Sequence, residues 1–178
     1  MNLNEKLLVF TALVFPKSSF EKLKESNQKG ILIVISSLIT LSVLLVLFSI
    51  QYSKAPHHLS FSFQTLILSL GLMFKIILNG TIIGILVSRV FKKPIKIVDA
   101  ISIVSISSLT LIVGPLMQLF DDYPNSIYSI IGSILFGLIA GYGISVFYDK
   151  SYAKSGILIF GILIIVEFIK MSLLGVTI

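Results

Sequence analysis

Apolar residues fall along this chain in long uninterrupted runs, not in the alternating or 3.6-residue pattern of half-buried soluble elements. Five runs stand out, at about 31–50, 63–88, 97–120, 126–147 and 156–176. Each approaches or exceeds the roughly 20 residues a helix needs to cross a bilayer. The pattern predicts an all-α integral membrane protein with five transmembrane helices. A sixth run, within residues 4–15, holds only about nine or ten apolar positions and is too short to span. Glu5 offsets Lys6 there, and no small-x-small site follows before Pro16, so a cleaved signal peptide is not expected. Ser18 to Glu21 has capping-box spacing, which predicts a helix start at Ser18. The helix it opens sets Phe20 and Leu23 among Lys17, Lys22, Lys24 and Lys29, as in a helix lying in the headgroup layer. The chain thus divides into a cytosolic or interfacial amphipathic segment, 1–29, and a transmembrane domain, 30–178.

Composition agrees with the pattern. Of 178 residues, 56% are hydrophobic and 12% charged, and the mean hydropathy is +1.04. A soluble domain carries roughly 25% charged residues, so little remains to cover a water-facing surface. The net charge of +6 would admit a nucleic-acid partner, but its distribution argues otherwise. Lys6, Lys17, Lys22, Lys24 and Lys29 precede the first run, Arg89, Lys92, Lys93 and Lys96 separate the second from the third, and Lys150 and Lys154 separate the fourth from the fifth. Only Lys54 lies in a connection on the opposite side. Positive-inside bias then places the N-terminus in the cytosol and the C-terminus outside, with anionic headgroups facing the basic segments. Cysteine is absent, so disulfides, thiolate nucleophiles and sulfur-ligated metals are excluded. His57 and His58 adjoin in the first outer connection, but no third His and no nearby carboxylate accompanies them; neither a metal nor a cofactor is expected.

Charged and amide side chains stand well inside two of the spans. Lys75 and Asn79 lie near the middle of the second, Glu167 near the middle of the fifth, and Lys170 three residues beyond it. At 1.5 Å per residue, Lys75 and Glu167 come to matching depth within about a turn. Leaving either charge alone costs at least about 2.5–3.5 kcal/mol, which predicts a Lys75–Glu167 contact between the second and fifth helices. Such a cluster serves as a structural tie or as the path of a proton, ion or anionic lipid. Catalysis has less support, because no His lies in a span and Glu167 is the only carboxylate near mid-depth.

Small residues mark two helices. Ser129, Ser133, Gly137, Gly141 and Ser145 recur at every fourth position of the fourth run, a stripe on which another helix can pack closely, in the same chain or another. The third run carries Ser102, Ser105, Ser107, Ser108 and Thr110, and Gly114-Pro115 predicts a kink towards its end.

The entry sequence Phe15-Pro16-Lys17-Ser18-Ser19-Phe20-x-x-Leu23, five spans, a basic turn before the serine-rich third span, and Pro115 further along it together resemble the Yip-one (Ypt-interacting protein) domain family over nearly the whole chain. The resemblance implies a small bacterial-type member in the plasma membrane, non-enzymatic, acting as a scaffold or as an accessory subunit beside a membrane protein such as an ABC-type exporter, or as a homo-oligomer. Two alternatives remain from the residues themselves. One is a small transporter or ion conductor built on Lys75, Asn79, Glu167 and Lys170; the other is an immunity protein against a membrane-active peptide.

Overall fold

The computed structural model of the protein describes residues 8–52, 61–94, 96–117 and 125–174. The His57–His58 pair, Lys54 and the acidic turn at Asp121 and Asp122 lie outside the described residues. All described elements are helical: α1 (Leu8–Val14), α2 (Pro16–Glu25), α3 (Lys29–Tyr52), α4 (Phe61–Phe91), α5 (Ile97–Ser107), a 3-10 segment (Ser108–Ile112), α6 (Val113–Met117), α7 (Asn125–Tyr148) and α8 (Tyr152–Leu174). Among the described residues three stretches are long and apolar enough to cross a membrane, Lys29–Ile50, Phe63–Phe91 and Ile130–Tyr148. Ile97–Ile112 and Tyr152–Ile165 are apolar but shorter among the described residues.

The hub is α5. Every residue from Ser102 to Thr110 is buried, which no single helix face could achieve, because α3, α4 and α7 surround it. Serine suits such a position: it lets backbones approach closely, and its hydroxyl can return to a carbonyl of its own helix. Ser102, Ser107 and Ser108 donate to the carbonyls of Asp99, Ile103 and Ser105. Ser105 instead reaches across to α3, with its Oγ 2.6 Å from that of Ser36 and 2.9 Å from that of Ser37. Against α4 the approach is closer still. A Cβ on Gly80 would lie 2.8 Å from the Cα of Ile101, so only glycine fits.

The interruption in the third apolar run begins earlier than Gly114-Pro115 suggests. Proline at position 115 has no N–H to donate to the carbonyl of residue 111. The chain tightens upstream, into the 3-10 segment at Ser108–Ile112. Thr110 Oγ1 bonds the carbonyl of Ser107 at 2.8 Å and that of Gly132 in α7 at 3.3 Å, tying the altered turn to its neighbour.

Outside the hub, α8 packs on α7. α4 keeps a broad apolar face outward, with Leu66, Leu70, Phe74 and Ile77 all more than half exposed. Its 31 residues extend about 46 Å, beyond a hydrocarbon core of roughly 30 Å, so within a bilayer it would tilt or project.

The N-terminal segment departs from expectation twice. α2 starts at Pro16, not Ser18: Phe15 occupies the cap position with no side-chain hydrogen bond, and Pro stands at the first turn, where its missing N–H costs nothing. Ser18 Oγ merely bonds back to the Phe15 carbonyl. Nor is the apolar face of α2 left open for a headgroup layer to cover. Ser19, Phe20 and Leu23 are buried against α7, and Ser19 Oγ bonds Thr11 Oγ1 at 3.0 Å to hold α1 alongside. Gly143 makes room for this: a Cβ there would lie 3.1 Å from the Phe20 ring and 2.6 Å from Ile103. One glycine thus admits both α2 and α5 to α7.

Candidate functional site

The polar chemistry of the described residues gathers at one end of the bundle, where α2 leads into α3, α4 turns into α5, and α7 turns into α8. Its first centre is the C-terminus of α7. Asp149 takes the left-handed conformation, φ 53°, and Lys150 N–H reaches back to the Ser145 carbonyl at 3.0 Å. That six-to-one bond closes the helix as a Schellman turn, and aspartate tolerates the left-handed position better than most residues. The negative helix end and the Asp149 carboxylate would repel one another. Two lysines resolve this. Lys24 Nζ, from α2, donates to Asp149 Oδ1 at 2.8 Å and to the Val146 carbonyl at 2.9 Å. Lys93, from the α4–α5 turn, lies 3.9 Å from Asp149 Oδ2 and donates to the Tyr148 carbonyl at 3.4 Å. The hydrogen bond from Lys24, followed by its charge, holds the Asp149 carboxyl below its ordinary pKa. Tyr148 completes the joint: its Oη lies 3.0 Å from Ser88 Oγ and its ring packs tilted on Phe91 at 5.3 Å.

The second centre is more enclosed. Lys29 Nζ lies 2.7 Å from Asp99 Oδ1, with the two side chains only 17% and 13% exposed. The ammonium also stands 5.1 Å from the centroid of the Phe147 ring. Asp99 occupies the first turn of α5, where the helix dipole favours a negative charge, while Lys29 begins α3, where the dipole opposes a positive one. The expectation that Lys29 faces lipid is therefore corrected: it is an internal tie between α3, α5 and α7. Lys24, likewise expected to face lipid, is half-committed to Asp149.

The remaining basic residues of this end, Lys17, Lys22, Arg89, Lys92, Lys96, Lys150 and Lys154, are exposed around these centres. Beside α2 a cavity of ≈ 420 Å³ opens between Lys17, Glu21, Glu25, Val146, Asp149 and Lys150. A second of ≈ 450 Å³ continues from Lys17 and Glu21 towards Val14, Phe15 and Tyr142.

The small-residue stripe finds its neighbour within the chain over part of its length. A Cβ on Gly137 would lie 2.6 Å from the Phe160 ring, and one on Gly141 would lie 3.1 Å from the Cα of Gly156, both in α8. Tyr142 stacks on Tyr152 at 3.9 Å beside them. Ser145 is half-buried and bonds its own helix at the Tyr142 carbonyl, whereas Ser133 is exposed. The side chain of Ser129 lies outside the described residues. Lys75 is on the exposed side of α4 and Asn79 is half-buried. The side chains of Glu167 and Lys170 lie outside the described residues, and with them the proposed Lys75–Glu167 contact.

Asp99 and Asp149 organise the basic end, a role the sequence hides because the lysines around them all count alike as topology markers. Among the described residues no group of three metal-ligating side chains occurs. Fold and site together define an all-helical chain, apolar on its outer faces and ion-paired at one end, as fits a membrane protein. The chain matches no family model, no curated protein and no solved structure.

Proposed function

We propose that this chain is a five-span, non-enzymatic membrane protein of Yip-like type, with its N-terminus in the cytosol of a bacterium, serving as a scaffold or accessory subunit. The observation that carries the reading is the construction of the basic end. Lys24, Lys29 and Lys93 are spent on locking helix termini together, and α1 and α2 are seated on the bundle. That makes a rigid platform ringed by exposed Lys17, Lys22, Arg89, Lys92 and Lys96, suited to hold anionic headgroups and a membrane-protein partner rather than to turn over a substrate. The shorter apolar stretches, Ile97–Ile112 and Tyr152–Ile165, complete the five crossings when the helical residues that continue them, α6 and the rest of α8, are included, and the three basic segments then fall on one side.

Two experiments test it. The absence of cysteine makes single-cysteine labelling clean: Ser126→Cys should react with an impermeant maleimide on intact cells, and Ser26→Cys only after permeabilisation. The opposite pattern refutes the orientation. Mild solubilisation of native membranes should bring down a stoichiometric membrane partner or a homo-oligomer. A monomer in nanodiscs that native extract leaves unchanged refutes the scaffold.

A further inference from the structure

The groove beside α2 has a polarity that changes with depth. Lys17, Glu21 and Glu25 follow one another at four-residue spacing on one face of α2, opposite Asp149 and Lys150 at the end of α7. Deeper along α7 the wall turns apolar and aromatic at Tyr142, where Val14 and Phe15 stand 68% and 64% exposed. From Asp149 to Tyr142 is about 10 Å along the helix axis, comparable to the passage from headgroups to acyl chains. The polar mouth carries both signs. Lys24 is engaged by Asp149 and the Lys150 ammonium stands 5.9 Å from the centroid of the Phe91 ring, outside the groove, which leaves Lys17 to face a phosphate and Glu21 and Glu25 to face a cation.

We propose that this groove binds one phospholipid with a zwitterionic phosphoethanolamine headgroup, taken from the bilayer in which the protein is embedded; the inference rests on the membrane reading above. Glu21 and Glu25, beyond the Lys24–Asp149 pair, disfavour a purely anionic headgroup. A primary ammonium can donate three hydrogen bonds to Glu21 and Glu25, which a quaternary choline cannot. The cavity of ≈ 420 Å³ lies within the range of about 300–1,000 Å³ typical of small-molecule sites, and the adjoining apolar wall accepts the start of an acyl chain.

The test reconstitutes the full chain into nanodiscs of equal phosphatidylethanolamine, phosphatidylglycerol and phosphatidylcholine, then counts retained lipid by native mass spectrometry. Retained lipid should be enriched about three- to tenfold in phosphatidylethanolamine, the scale of one or two interfacial charged contacts. Glu21→Gln/Glu25→Gln should abolish the enrichment, and Lys22→Gln, outside the groove, should leave it intact. A photoreactive phosphatidylethanolamine should crosslink the unmodified chain within 14–25 and 142–150. Retention in bulk proportion, a preference unchanged in the double variant, or crosslinks confined elsewhere overturns the site alone. Failure of the chain to enter the discs overturns the membrane reading and the site together.

Discussion

The Lys29–Asp99 pair should be more costly to break from the acid side than from the basic side. Breaking a fully buried ion pair costs about 3–5 kcal/mol and an exposed one contributes about 0–1 kcal/mol. With side chains 17% and 13% exposed at 2.7 Å, this pair belongs between them, at roughly 2 kcal/mol. Lys29→Met orphans Asp99, but the first turn of α5 still favours that charge by about 0.3–1 kcal/mol, so the loss should fall to about 1–2 kcal/mol. Asp99→Asn orphans Lys29 against the N-terminus of α3, with the same dipole now opposing it. The Phe147 ring at 5.1 Å returns about 0.5–1 kcal/mol, so the loss should be about 1.5–2.5 kcal/mol. Reversible unfolding in mixed micelles, followed by circular dichroism, would give both losses and, with the double variant, a coupling of about 1–2 kcal/mol. A coupling below about 0.3 kcal/mol would show the pair to be an ordinary surface contact. Lys29→Met costing more than Asp99→Asn would refute the dipole argument.

The glycines of α4 should respond in opposite directions. Gly80→Ala meets backbone at 2.8 Å and should cost about 1–3 kcal/mol as α4 and α5 separate, while Gly71→Ala has nothing within 4 Å and should gain up to about 1 kcal/mol; equal effects in the same unfolding assay would contradict the packing. Acid should release α2. Because the folded pKa of Asp149 is depressed, its tie to Lys24 is fully present above the unfolded carboxylate value and is lost as pH falls through the lower folded one. Hydrogen exchange of residues 16–25 should therefore rise only below about pH 4, and Asp149→Asn should raise it above that pH, leave it little changed below, and so flatten the response.

What could be read from the chain alone follows from how many residues each signal engages. The long apolar helices were legible because some twenty consecutive positions share one requirement, and a boundary error of two residues changes nothing. The α7 stripe was legible as a packing face, since Gly137 and Gly141 repeat at helical spacing, but its occupant was not: Phe160 and Gly156 are found only by folding α8 back on α7. The seating of α2 was ambiguous in principle. Ser19, Phe20 and Leu23 make the same narrow apolar face whether a headgroup layer or a neighbouring helix covers it, and the deciding residue, Gly143, lies more than a hundred positions away in the sequence. The basic end was hardest. Positive-inside counting treats every lysine as an interchangeable topological charge, which serves for Lys22 or Lys96. It hides Lys24 and Lys29, whose roles depend on single acids, Asp149 and Asp99, that local sequence gives no reason to pair with them. A charge that orients a helix and a charge that ties two helices look alike until the fold brings its partner within 3 Å. In apolar chains of this kind, the few acids that accompany a basic turn are therefore the residues to examine first.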